Sequence, residues 1–139
     1  MSDLDRAVLA EKTSVIERHL ERVEERLPSN DAELARSPDA SDAVILHLWQ
    51  AVQIAIDLAL SFCLRLNLGA PSSYADAFRK LNGAGVIEKD LAERLVRAAG
   101  FRNVVAHAYE SIDMQRVYRA ASEGPIDLRA FLAALRDRV

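Results

Sequence analysis

The segment Arg102-Asn103-Val104-Val105-Ala106-His107-Ala108-Tyr109 gathers a guanidinium, a carboxamide, an imidazole and a phenol among small apolar side chains. Polar groups set into an apolar stretch must find partners or face a cleft. Arginine binds phosphate oxygens through a planar fork. Histidine titrates near neutrality and can take a proton from a ribose 2′-hydroxyl or give one to a leaving oxygen. Asn103 can orient the imidazole or donate to a phosphate oxygen. Arg102, His107 and Asn103 together suffice for RNA cleavage without a metal, in which the 2′-oxygen attacks the adjacent phosphodiester and leaves a cyclic 2′,3′-phosphate. No metal-ligating constellation accompanies them. The three histidines, His19, His47 and His107, fall on different predicted helices, and the single cysteine, Cys63, excludes a Cys-based zinc site.

Spacing constrains how these groups could cooperate. On a helix, Arg102 and Tyr109 are seven residues apart, about 20° from eclipsed. Asn103 and His107 are four apart and stack on a neighbouring ridge. Arg102 and His107 are five apart, about 140° around the axis, and one straight helix cannot easily bring both to one phosphate. Two copies facing each other across a two-fold axis could place Arg and His from each in one groove. Plain structural roles stand beside these. His107 could be a satisfied core or surface histidine, Arg102 could pair with Asp57 or Asp113, and Tyr109 could be a core residue.

The elements that must position these groups all read as helices. Residues 4–26 carry Leu9, Ile16, Leu20, Val23 and Leu27 on one stripe, ended by Pro28. Residues 28–40 have loop composition with room for one short turn. From Val44 to Leu66 nearly every residue is apolar, long enough to raise a membrane span. His47, Gln50, Gln53, Asp57, Ser61 and Arg65 recur every three or four residues and form one polar ridge. Such a ridge argues for a core helix with one wet or functional edge rather than a lipid-facing one. Ser41 or Asp39 is its expected N-cap, and Gly69 and Pro71 close its far end. Ser72 or Ser73 caps a short helix ended by Asn82-Gly83. A further helix starts near 88, with Ile87, Leu91, Leu95 and Ala98 inward. Asp113 caps a short helix over 113–122. Gly124-Pro125 breaks the pattern before a last helix with Leu128, Phe131, Leu132 and Leu135 inward. The expectation is one all-α domain over 1–139, an up-and-down bundle of about five or six helices.

Composition agrees with that class. Half of the 139 residues are hydrophobic and 28% are charged, which is enough to bury a core and argues against disorder. Five glycines and four prolines are few for a β protein. Aromatics at 6% are too sparse for stacking platforms that read single-stranded bases. The N-terminus is acidic where a signal peptide would be basic, so a cytoplasmic protein without membrane attachment is expected. Charge is unevenly spread. Residues 94–139 hold eight arginines against five acids, a surplus of three, and the overall −3 leaves the first 93 residues at −6. The basic third could meet a polyanion or pair with the chain's own acidic part.

The pattern Arg-x4-His-x-Tyr, as Arg102, His107 and Tyr109, resembles the signature of the HepT-like branch of the HEPN superfamily. The flanking Gly100-Phe101, Asn103, Ile112-Asp113 and Val117-Tyr118 are similar too. So are Pro71 through Phe78 and Leu81 through Ile87, so the resemblance covers about 40–120 clearly. It implies a HEPN-like bundle that dimerises, with Arg102 and His107 of both subunits lining one cleft. It implies a toxin of a toxin–antitoxin system, a metal-independent endoribonuclease acting on mRNA or tRNA. The implied partner is a minimal nucleotidyltransferase antitoxin that transfers AMP from ATP to Tyr109. ATP would then be the partner's substrate, and this chain would need no cofactor. The alternative is a non-catalytic helical binding module that docks such a nucleotidyltransferase.

Overall fold

The computed structural model describes residues 2–139. Six α-helices follow one another: α1 (Asp3–Arg26), α2 (Asp31–Arg36), α3 (Pro38–Arg65), α4 (Tyr74–Gly83), α5 (Lys89–Ala108) and α6 (Met114–Arg136). A 3₁₀ turn, Tyr109–Ser111, joins the last two. The fold is the all-α bundle expected.

The helix starts are written in short polar side chains. Ser2 and Asp5 form a reciprocal capping box on α1. Asn30, Ser73 and Asp113 each accept a backbone N–H at the start of α2, α4 and α6. The cap of α3 is Ser37, not Ser41 or Asp39, and Pro38 takes the first helical position, where its missing N–H is harmless. The stretch 28–40 is correspondingly less loop-like than its composition suggests, because Asn30 nucleates α2 and Leu34 anchors it in the core.

The expected break at Gly124-Pro125 does not occur. Residues 113–122 and the last helix are one helix, α6, with Pro125 inside it. Val117, Ala121, Gly124, Leu128, Phe131 and Leu135 stay on one buried face across the junction, so packing outweighs the hydrogen bond that Pro125 removes. Gly124 allows the close approach: a Cβ there would lie 3.1 Å from Leu48 Cδ1 of α3.

α3 is the axis of the bundle and contacts α1, α2, α4, α5 and α6. It is long and apolar enough to span a membrane, but half of its most apolar stretch is buried inside the protein. Ile45, Leu48, Val52, Ile56, Ala59 and Phe62 supply its core face. Phe78 of α4 meets Phe131 of α6 edge-on at 5.5 Å between ring centroids. Each buried leucine or phenylalanine contributes about 2 kcal/mol.

The polar ridge of α3 is shared out among its neighbours. His47 turns to α1, where its Nδ1 lies 3.0 Å from Nδ1 of His19. Arg65 pairs with Asp5 of α1. Gln53 faces α5, and Asp57 stays in water, accepting a hydrogen bond from Gln53. The C-terminal arginines divide too. Arg94 is paired to the buried Asp127 at 2.8 Å, and Arg129 is clamped by Glu17 and Glu24 of α1.

Candidate functional site

α5 carries Arg102, Asn103 and His107 in its last two turns. Arg102 is half-buried. Its Nε donates to Gln53 Oε1 of α3 at 2.7 Å, and its Nη1 donates to Asn103 Oδ1 at 3.2 Å. The guanidinium carbon sits 5.6 Å from the ring centroids of both Trp49 and Tyr74. A cation on aromatic faces gains about 0.5–2 kcal/mol, more as water is excluded. Trp49 Nε1 is buried without a hydrogen-bond partner among the described residues. Packing and the guanidinium therefore hold the indole, not its polar edge.

Neither carboxylate foreseen as a partner reaches Arg102. Asp57 receives Gln53, and Asp113 caps α6. No ion pair among the described residues involves Arg102. Its positive charge is oriented by neutral groups and not cancelled. Two of a guanidinium's five N–H groups are engaged, and the rest can meet an anion.

Asn103 and His107 are both exposed on the same stretch of α5, as their four-residue spacing requires. Tyr109 departs from the sequence reading. α5 ends at Ala108, whose φ of −144° and ψ of 39° leave the helical region, and Tyr109 opens the 3₁₀ turn. Arg102 and Tyr109 therefore do not share one face of a continuous helix. Tyr109 is instead tied across the fold: its hydroxyl donates to Asp42 Oδ1 of α3 at 2.5 Å. That carboxylate, with some burial, pushes the phenol up to about 12.

Two clefts are lined by residues that touch Arg102, Tyr74 and Asn103 in one and Trp49 in the other. One, about 460 Å³, is lined by Ser73, Tyr74, Ala75, Val96, Gly100 and Asn103. The other, about 430 Å³, is lined by Asp42, Ile45, Leu46, Trp49, Val105 and Tyr109. Four of the residues that build the site were not foreseen as members of it: Asp42, Trp49, Gln53 and Tyr74. A signal existed for three. Asp42, Leu46, Trp49 and Gln53 follow at spacings of four, three and four, one mixed polar and aromatic stripe of a helix. Tyr74 had none, because nothing local says that α4 leans toward Arg102. Among the described residues, no group of three or more His, Cys, Asp or Glu is placed to hold a metal ion.

A family model for HepT-like ribonucleases matches residues 16–135. The chain belongs to the HepT-like ribonuclease family. Within it, this HepT-like chain is 23% identical over 129 residues to the mRNA nuclease HepT of Shewanella oneidensis, spanning 93% of this chain and 96% of that relative. Among solved structures it superposes on the tri-AMPylated Shewanella oneidensis HEPN toxin in complex with MNT antitoxin. The TM-score is 0.85 at 23% identity, over 99% of both chains. It also matches a toxin–antitoxin crystal structure with AMP-PNP, with a TM-score of 0.86 at 22% identity, over 94% of this chain and 98% of that one. At these identities the structural likeness shows the HepT-like fold.

Proposed function

We propose that this chain is the toxin of a two-gene toxin–antitoxin pair and an endoribonuclease that needs no metal ion. Arg102 and His107 are its catalytic residues, and Asn103 supports them. The observation that carries this reading is the state of Arg102. A guanidinium gripped by Gln53, Asn103 and two aromatic faces, with no carboxylate to neutralise it, is a phosphate receptor in waiting. Arg102 would hold the scissile phosphodiester and stabilise the charge that builds on it. His107 would move the protons of the 2′-hydroxyl and the leaving 5′-oxygen. Because the two side chains point about 140° apart on one helix, the working cleft is assigned to a homodimer, each phosphate meeting Arg102 of one subunit and His107 of the other. Leu46 and Leu64 support such pairing. They are exposed at 50% and 62% and lie eighteen residues, five full turns, apart on α3.

The proposed partner is a minimal nucleotidyltransferase of the MNT type, and Tyr109 is the residue it modifies. The relative solved in complex with MNT antitoxin is tri-AMPylated, and Tyr109 is an exposed phenol lining the cleft walled by Trp49, whose ring Arg102 meets. Adding adenylate there would put a phosphate and a bulky base into the groove and block RNA. ATP is then the partner's substrate. The substrate RNA, mRNA or tRNA, and the ATP both place the reaction in the cytoplasm.

The test is cleavage of mRNA or tRNA in EDTA by the purified chain freed of antitoxin. Fragments ending in 2′,3′-cyclic phosphate are expected from the parent. None should come from R102A or H107A, whose helicity by circular dichroism stays at the parent's level. Growth arrest by both variants at the parent's strength would overturn the catalytic assignment.

A further inference from the structure

Asp42 has no evident part in cutting RNA, yet it makes the tightest side-chain contact of the groove. Tyr109 Oη lies 2.5 Å from its Oδ1, across 67 residues of sequence. Both residues line the same cleft of about 430 Å³, with Trp49 and Leu46 as its apolar wall. No ion pair among the described residues occupies Asp42. The carboxylate is therefore dedicated to the phenol. A phenol is a poor nucleophile while it keeps its proton, as any phenol does at neutral pH, and the Asp42 carboxylate makes the Tyr109 proton harder still to lose to water. Any group transfer onto Tyr109 needs a proton acceptor at that hydroxyl.

We propose that Asp42 is the general base for adenylyl transfer onto Tyr109. This rests on the reading of Tyr109 as the modified residue given above. The phenolic oxygen attacks the α-phosphorus of ATP held by the partner nucleotidyltransferase. The Oη–Pα bond forms and the bond from Pα to the bridging oxygen breaks. Pyrophosphate leaves with that electron pair, and the phenolic proton passes to Asp42 Oδ1 and on to water. The toxin would thus supply the base for its own silencing, as an aspartate accepts the substrate hydroxyl proton in protein kinases. The product removes the contact that promoted it. The ester oxygen no longer donates, and a phosphodiester anion beside Asp42 is repelled by like charge. The adenylylated side chain leaves α3 and its phosphate is free to turn toward the cationic side of Trp49, where Arg102 sits.

D42N separates a base from a latch. Asparagine keeps the accepting oxygen and the shape but takes no proton, whereas D42A loses both. Modification is followed by intact mass with the MNT antitoxin, ATP and Mg2+, with Y109F locating the added AMP. A base predicts that D42N is slowed in kcat by at least about tenfold, nearly as much as D42A, with KM for this chain unchanged. D42N modified within about twofold of the parent, or a loss confined to KM, overturns the proposal while the modification of Tyr109 stands. No mass gain on the parent chain, with an antitoxin that still silences it in cells, overturns both.

Discussion

Arg102 and Arg129 are both half-buried arginines on long helices, and the structure treats them in opposite ways. Arg129 of α6 is met by two carboxylates. Its Nε and Nη2 donate to Glu17, and Nη1 and Nη2 donate to Glu24, at 2.8–3.3 Å. Its charge is spent inside the protein on stapling α6 to α1. The Arg129 guanidinium in turn holds the Glu24 carboxyl below the ordinary carboxylate range. Arg102 of α5 is held as firmly, but by a glutamine, an asparagine and two ring faces. The fork is fixed while the charge is left over. A carboxylate partner orients a cation and cancels it, whereas neutral partners orient it and keep it available. The first arrangement serves stability, and the second leaves a charge that can meet an anion.

The comparison breaks most sharply on replacement of the two arginines. R102A is expected to lower kcat/KM for RNA cleavage by at least about 100-fold, far beyond the cost of about 0.5–2 kcal/mol in unfolding free energy from the lost ring contacts. Steady-state cleavage and urea unfolding read the two effects. R129A is the mirror image. It strands two acids in a partly exposed network and should cost about 1 kcal/mol of stability, with cleavage at the parent's rate. If R129A proved as inactive as R102A, the division of labour between the arginines would be wrong.

Gln53 sharpens the same point, because it makes the shorter of the two hydrogen bonds that aim Arg102. Q53L leaves the charge and the aromatic faces in place and loosens the aim. Cleavage should fall by about tenfold, mostly in kcat, since poor orientation is felt at the transition state. A Q53L chain as active as the parent would show that Trp49 and Tyr74 suffice.

The smallest effect concerns a region with no part in the site, the His19–His47 pair between α1 and α3. Burial lowers both imidazoles from 6.5, and His47, Arg18 and Arg22 lower His19 further. A histidine whose folded pKa is lowered takes up protons more readily when unfolded. The pair therefore costs nothing above the unfolded value near 6.5 and progressively destabilises the fold as pH drops below it. The urea midpoint should be lower at pH 5.5 than at pH 7.5, and H47N should flatten that slope. A slope unchanged in H47N would assign it to other groups.

Much of this fold was legible because the helical period marks which residues face inward. Of the stripe Leu9, Ile16, Leu20, Val23 and Leu27, the first four are buried as read, and Leu27, at the C-cap of α1, is partly buried. The misreadings came where packing overrode a local signal. Pro125 reads as a break, but the apolar face of α6 runs unbroken from Val117 to Leu135 and carries the helix through. Likewise, Tyr109 follows the helical count from Arg102 until Ala108 leaves the helical region. Within the site, Arg102, Asn103, His107 and Tyr109 could be singled out because they are neighbours in sequence. Gln53 and Asp42 lie 49 and 67 residues from the side chains they serve. A helix pattern shows that a residue has a face, but not which helix that face will meet.

One mixing experiment bears on the account most directly. Heterodimers of R102A and H107A, isolated by different tags on the two chains, carry one intact guanidinium and one intact imidazole on opposite subunits. If a phosphate is shared across the two-fold axis, these heterodimers rebuild one of two sites and cleave RNA at about half the parent's rate, though each variant alone is inactive. Heterodimers as inactive as the separate variants would contradict it.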